Sequence, residues 1–235
     1  MTEVAPRIGF DRFIKQSWAT AALDARAGQA SVDDLAALLE RDGLSVAARK
    51  KTRTVLNRLW LDPRAETAGF VDRGIALYQV GAPTQVLHWG VSIATYPFFA
   101  HVAGLVGRLT AIQGDCSASE VQRRMSERYG EREGTYRMTN MVLQSQADWG
   151  AISRVEGNKR LVRNAQSAVD GIELSGWLLE AAVRSSGKPV PAAAMASLPI
   201  LYPFSLGESV GYSANANGHL ELRSVGAGKE LIALA

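Results

Sequence analysis

The chain has 235 residues, one cysteine and a formal net charge of +3. A single cysteine excludes an internal disulfide framework and is typical of a reducing cytoplasm, which is the expected location. The N-terminal residues lack the charged-then-apolar pattern of a secretory signal. The mildly basic balance permits nucleic-acid binding without requiring it.

The first third of the chain is predicted to be helical. Apolar residues recur at helical spacing over 8–27, 32–41, 46–61 and 65–80. Ser31 followed by Asp34 indicates a capped helix start, and Gly43 indicates a helix end. We interpret residues 1–82 as an N-terminal domain that resembles a helix-turn-helix.

The predicted helix over 46–61 is strongly cationic. Its basic residues, with one just beyond it, are Arg49, Lys50, Lys51, Arg53, Arg58 and Arg64. Such a helix is either a phosphate-binding surface or a solvated face, and the sequence leaves both interpretations open.

The segment 86–109 is apolar and long enough to resemble a membrane span. However, His88, Pro97, His101 and Arg108 interrupt it. We therefore predict two buried helices that are separated before Pro97, and no membrane partner.

The most informative stretch is 117–164, which has the order helix, turn, helix and hairpin. Ser117 with Glu120 is typical of a capping box, and Gly130 of a helix end. A second helix is predicted over 135–149. Strands over 151–155 and 159–162 are predicted to flank a tight turn at Glu156-Gly157-Asn158. This order predicts a winged helix within a domain over 83–170.

A winged helix commonly places its second helix in the DNA major groove, as helix-turn-helix proteins do. The predicted outer face of that helix carries Thr135, Arg137, Asn140 and Gln144, with Arg132 just before it. Arginine can bind guanine in a fork, and asparagine or glutamine can do the same for adenine. The hairpin adds the cations Arg154, Lys159, Arg160 and Arg163, where phosphates are usually met.

The remaining region, 171–235, is predicted to contain a helix over 172–184 and then strands. We expect strands over 211–214, 219–225 and 230–234, with a hairpin turn at Asn217-Gly218. The predicted fold class is therefore mainly α with small β: a helix-turn-helix N-terminal part, a central winged helix, and a C-terminal helix plus β-hairpin region.

Motifs of catalysis are missing from the sequence. Its three histidines are scattered, and neither a phosphate-binding loop nor a dinucleotide fingerprint occurs. Cys116, beside a predicted helix start, is either a plain thiol or one with a lowered pKa. We expect no enzyme activity, no metal, no cofactor and no small-molecule substrate.

Short motifs over 32–164 resemble the BrxA-like family, small proteins encoded within bacterial BREX phage-defence systems. The similar features are His88-Trp89 followed by YPFF at 96–99, a capped helix ending in Tyr129-Gly130, and a second helix ending in DWG at 148–150 before the hairpin. The basic helix that ends in LWL at 59–61 also fits the family. The resemblance implies a non-enzymatic accessory factor that binds double-stranded DNA and works with other defence-system proteins.

Two other functions remain open at the level of the sequence. A transcriptional regulator would use the same winged helix to read an operator. An interaction scaffold would use it to dock a larger protein without nucleic acid.

Overall fold

The computed structural model describes residues 9–155, 157, 159–207, 209–226 and 228–235. Helices dominate these residues, and three small sheets accompany them. The prediction of a mainly α protein with small β elements is therefore confirmed.

Four helices and a π-helical turn make up the N-terminal third. They are α1 (Gln16–Arg26), α2 (Val32–Arg41), α3 (Val46–Leu56), the π-helical turn Asn57–Leu61, and α4 (Ala65–Gln79). Ser31 and Asp34 form the predicted capping box at the start of α2.

The prediction of one helix over 8–27 is wrong at its N-terminal end, since α1 begins only at Gln16. Ile8 lies outside the described residues. Phe10 and Ile14 of the preceding segment are buried instead, and the Phe10 ring lies 5.3 Å from that of Tyr96 and 5.1 Å from that of Phe99. Burial of these apolar side chains, rather than helix propensity, fixes the backbone there.

Two apolar helices follow, α5 (Thr84–Thr95) and α6 (Pro97–Gln113). They meet at Pro97, which occupies the first turn of α6, where its missing N–H costs nothing. The predicted pair of buried helices is thus confirmed. None of the described helices alone is long and apolar enough to cross a bilayer; α5 and α6 meet those criteria only as a pair, bent by 116°.

The central elements are β1 (Asp115–Ser117), α7 (Ala118–Tyr129), α8 (Glu133–Asp148), β2 (Ile152–Val155) and β3 (Arg160–Arg163). The three strands form an antiparallel sheet in the order β1-β3-β2. The two helices and the hairpin were predicted from the sequence, whereas β1 was not. In the predicted hairpin turn, Glu156 and Asn158 lie outside the described residues.

Local signals set the ends of α7. The Ser117 hydroxyl accepts a hydrogen bond from the Glu120 amide at 3.1 Å, as the capping motif predicts. The Glu120 carboxylate instead accepts one from the Gln113 side chain at 3.1 Å. Gly130 ends the helix with a φ of 87°, a conformation that suits glycine.

The C-terminal third mixes short elements around one long helix. They are β4 (Ser167–Val169), α9 (Ile172–Ser186), β5 (Val190–Pro191), α10 (Ala192–Met195), the 3-10 turn Pro199–Leu201, β6 (Phe204–Leu206), α11 (Val210–Ala216), β7 (Leu220–Ser224) and β8 (Glu230–Leu234). The predicted strands near 219–225 and 230–234 are confirmed as β7 and β8, which pair antiparallel.

The predicted strand over 211–214 is wrong, because these residues lie in α11. The Ser209 hydroxyl accepts the Tyr212 amide at 3.2 Å and so caps a helix. Asn217-Gly218 is therefore not a hairpin turn. The side-chain amide of Asn217 donates instead to the Gly176 carbonyl at 2.8 Å, and this bond holds the end of α11 against α9.

The buried apolar side chains of all three predicted segments form one cluster. Helix α5 packs on α9, and α6 packs on the 3-10 turn. The contact at Gly107 is so close that a Cβ there would lie 1.9 Å from the Pro199 carbonyl oxygen. The C-terminal third thus completes the core around α5 and α6.

Candidate nucleic-acid interface

Helix α8 presents a polar stripe to solvent. Its inner side buries Met138, Val142 and Leu143 in the core, and it packs on α7 and α6. Arg137 and Gln144 are exposed, and Asn140 is half-buried. The structure thus brings these three predicted side chains together on one helix face, which we call the α8 face.

Thr135 does not belong to the α8 face, and its prediction as an exposed groove-facing residue is wrong. The residue is fully buried. Its hydroxyl donates to the Gly130 carbonyl at 3.0 Å and so ties the first turn of α8 to the end of α7. Arg132, just before the helix, remains exposed as predicted.

The C-terminal end of α8 is held by the segment before α1. The Ile14 amide donates to the Ser145 hydroxyl at 2.9 Å, and the Trp149 indole N–H donates to the Ile14 carbonyl at 2.9 Å. The Gln16 amide donates to the Asp148 carboxylate at 2.6 Å. These partners lie more than 130 residues apart in sequence, so no local pattern could have revealed them.

The β2–β3 hairpin carries three cations without an ion-pair partner among the described residues: Arg154, Lys159 and Arg163. We call them the hairpin cations. One Arg154 nitrogen, Nη2, is shielded from solvent and has no acceptor in the described part of the chain. Such a donor is costly until an acceptor reaches it.

Arg160 differs from the other hairpin residues. It lies on the central strand β3, and its guanidinium forms a two-pronged ion pair with Asp115 on β1. The Nε–Oδ2 distance is 2.9 Å. Asp115 therefore holds Arg160 within the sheet, unlike the three hairpin cations.

The acidic side chains around this unit are mostly occupied. Glu127 pairs with Arg123 at 3.2 Å, Glu120 lies 3.9 Å from Arg124, and Asp115 holds Arg160. Of the nine basic residues over 117–164, six make no ion pair within the described ranges. They are Arg128, Arg132, Arg137, Arg154, Lys159 and Arg163. Ion pairing leaves the net charge of the unit unchanged, but these six cations have no fixed partner in the described ranges; Glu131 and Glu133 form no ion pair there either.

The cationic helix α3 is a second basic surface. Lys50 and Lys51 are exposed, and Arg53 is half-buried. Arg49 pairs with Glu40 at 2.8 Å, with 70% of the Glu40 side chain exposed. Ion pairs at such exposure contribute little stability, so Arg49 can exchange its partner for a phosphate.

Helices α3 and α7 both contact the N-terminal end of α6. The Tyr96 phenol donates to the Val55 carbonyl of α3 at 3.3 Å. Two residues further along, the Phe98 ring lies 4.8 Å from that of Tyr129 at the end of α7. The tertiary structure therefore joins regions that the sequence separates.

Burial shifts the pKa values of Cys116 and His101. Burial, with the Glu120 carboxylate adding to it, raises the pKa of the Cys116 thiol to about 11, so this cysteine is not an activated nucleophile. Burial, and secondarily Arg128, lowers the pKa of His101 to about 4. Within the described ranges, no group of three or more His, Cys, Asp or Glu side chains could hold a metal ion.

His88 is expected to make the protein sensitive to acid. It is fully buried between the Thr20 hydroxyl and the Trp60 indole, and burial lowers its pKa to about 3. Below the ordinary histidine pKa of about 6.5, the unfolded chain takes up a proton that the folded protein refuses. The contribution of His88 to the free energy of unfolding should therefore fall as the pH drops from about 6.5 towards 4, by up to about 1.4 kcal/mol per pH unit.

Denaturant unfolding at several pH values measures this effect. The same measurement on His88→Gln, which lacks the titratable ring, serves as the comparison. In the variant, the slope of the free energy of unfolding against pH should be smaller by the contribution of one proton. Equal slopes for the variant and the wild type would contradict the assignment.

Comparison of the chain with known proteins provides no relative from which function could be transferred. No protein-family model matches it, and neither a curated protein nor a solved structure matches significantly.

Proposed function

We propose that the protein binds double-stranded DNA without catalysis, through a winged helix formed by α6 to β3. In this proposal α8 lies in the major groove, and the hairpin cations meet the phosphate backbone. The protein would serve as an accessory component of a BREX-type phage-defence system, as its resemblance to the BrxA-like family implies.

The order of the central elements supports the winged helix. Two helices are joined by Gly130–Arg132, a short turn that contains glycine, as in helix-turn-helix units. The hairpin follows directly, and β1 before the first helix completes the sheet in the order β1-β3-β2.

The proposal of DNA binding rests on which charged side chains of the unit form ion pairs and which do not. Glu127 and Glu120 are paired with arginines, Asp115 holds Arg160, and Asp148 accepts a backbone amide, whereas Arg132, Arg137 and the hairpin cations form no ion pair in the described part of the chain. Unpaired cations on one unit are suited to phosphate contacts, which supply most non-specific affinity. The α8 face adds only one arginine and two amides, so we expect little sequence preference.

Titration of a random-sequence duplex tests the proposal. Binding should be readily measurable at about 50 mM salt and weaken by orders of magnitude at about 200 mM, because phosphate contacts release counterions. Absence of binding at the lower salt concentration would overturn the proposal. Strong selection of one sequence would indicate a transcriptional regulator instead.

Alanine at Arg137, Asn140 and Gln144 together should weaken duplex binding by about tenfold, since one phosphate or base contact and two amide contacts are lost. The melting temperature should stay near that of the wild type, because the α8 face is not part of the core. A matched control replaces Gln29, Lys188 and Asn215, which are exposed elsewhere. Equal affinities for the two variants would show that α8 is not the reading helix.

A further inference from the structure

A small basic pocket lies where α3 passes into the π-helical turn. It has a volume of about 310 Å³ and is lined by Thr54, Asn57, Arg58, Asp62, Pro63 and Arg64. π-Helical turns are rare and frequently occur at functional sites. We call this cavity the Arg58 pocket; it is separate from the α8 face and from the hairpin cations.

One side of the Arg58 pocket is cationic. Among the described residues, Arg58 has no ion-pair partner, and Arg64 has only Glu66 at 3.7 Å, with both side chains more than half exposed. Both guanidinium groups lie close enough to the Tyr96 phenol to oppose the rise that burial causes in its pKa. Two arginines near one point provide the planar donors that phosphate groups accept.

The other side of the Arg58 pocket offers acceptors. The side-chain oxygen of Asn57 is shielded from solvent and has no donor among the described residues. Asp62 is exposed, and its carboxylate forms no ion pair in the same part of the chain. A shielded acceptor without a donor is costly, so a ligand that brings a hydroxyl or amino group would be favoured.

A larger cavity of about 440 Å³ provides a contrast. Two of its polar side chains already bind groups outside the lining: Arg73 binds Glu180 at 2.6 Å, and the Asn217 side chain donates to the Gly176 carbonyl at 2.8 Å. These groups therefore demand no ligand. In the Arg58 pocket, donors and acceptors both remain available.

We propose that the Arg58 pocket binds a nucleotide. The arginines would hold its phosphate, while Asn57 and Asp62 would accept hydrogen bonds from sugar hydroxyls or base amino groups. The volume lies at the lower end of the range for small-molecule sites. The nucleotide is either free in solution or the phosphorylated end of a nucleic-acid strand, and the site goes beyond the proposed duplex contact.

Calorimetry with the full chain tests the proposal, with a 5′-mononucleotide, the matching nucleoside and inorganic phosphate as probes. The mononucleotide should bind at least about tenfold more tightly than either part, because only it engages both sides of the pocket. A second comparison uses one oligonucleotide with a 5′-phosphate or with a 5′-hydroxyl group. If the phosphate increases affinity, the natural ligand is the phosphorylated end of a strand. No mononucleotide binding and no effect of the 5′-phosphate would overturn the proposal.

Variants locate the site. Arg58→Ala combined with Arg64→Ala should abolish mononucleotide binding, whereas Arg41→Ala, at an exposed position of α2 outside the pocket, should not. If the double variant fails to fold, Arg64→Ala alone, at an exposed position before α4, should still reduce affinity. Mononucleotide binding that survives in a folded pocket variant would refute the assignment.

The α8-face variant distinguishes this proposal from the proposed function. It should keep mononucleotide binding while its duplex affinity falls. If the wild-type protein binds mononucleotide but no duplex, the pocket proposal stands and the winged-helix proposal is refuted.

Discussion

Replacing Trp149 with alanine should lower the free energy of unfolding by about 3–5 kcal/mol, as loss of a buried large aromatic residue usually does. The side chain is 1% exposed, and its ring lies 5.5 Å from that of Phe99. Its indole N–H donates to the Ile14 carbonyl, so the variant also leaves a buried acceptor without a donor. Thermal or denaturant unfolding would measure the loss.

The variant Trp149→Phe separates the two contributions. It retains most of the apolar contact and loses the hydrogen bond, so its loss of stability should be smaller than that of Trp149→Ala. A Trp149→Ala protein with wild-type stability but impaired DNA binding would contradict the structural role assigned to this residue.

Removing the hairpin cations should have the largest effect on DNA affinity. Each phosphate contact contributes about 0.9 to the slope of log affinity against log salt. Replacement of Arg154, Lys159 and Arg163 by alanine should therefore reduce the magnitude of this slope by about 2.7 and weaken binding at about 0.1 M salt by a factor on the order of 10². Duplex titration across a series of salt concentrations measures both quantities.

The control removes three arginines that are exposed and ion-paired: Arg26, Arg123 and Arg223. Its change in net charge is the same as that of the hairpin variant. If the two variants show the same slope, general charge determines the affinity and the hairpin has no special part in it.

Local signals made many element boundaries predictable. Ser31, Ser117 and Gly130 act on backbone groups within a few residues of themselves, and Pro97 breaks the helices at its own position. The strand predicted over 211–214 was wrong although Ser209 caps the helix there locally. Asn217 also fastens this helix to Gly176 of α9, 41 residues earlier, and that contact has no local pattern in the sequence.

The candidate site was predictable in its residue types and less so in its charges. Arg137 and Gln144 are exposed because the apolar residues between them define the buried side of α8. Arg160 was indistinguishable from the hairpin cations in the sequence, because its partner Asp115 lies 45 residues earlier. Thr135 was predicted to face the groove from its position on α8. Its bond to the Gly130 carbonyl, which depends on how α7 and α8 pack, is not visible in the sequence.

The bonds that hold the end of α8 to Ile14 and Gln16 also bear on the entropy of recognition. A helix fastened at its far end has already lost most of its orientational freedom before a ligand arrives. Binding then avoids the cost of ordering the helix itself, and only its exposed side chains lose freedom, at about 0.5–1.5 kcal/mol for each one immobilised. Helix α8 is thus preorganised, so the contacts it makes, rather than the motion it gives up, would set its contribution to affinity.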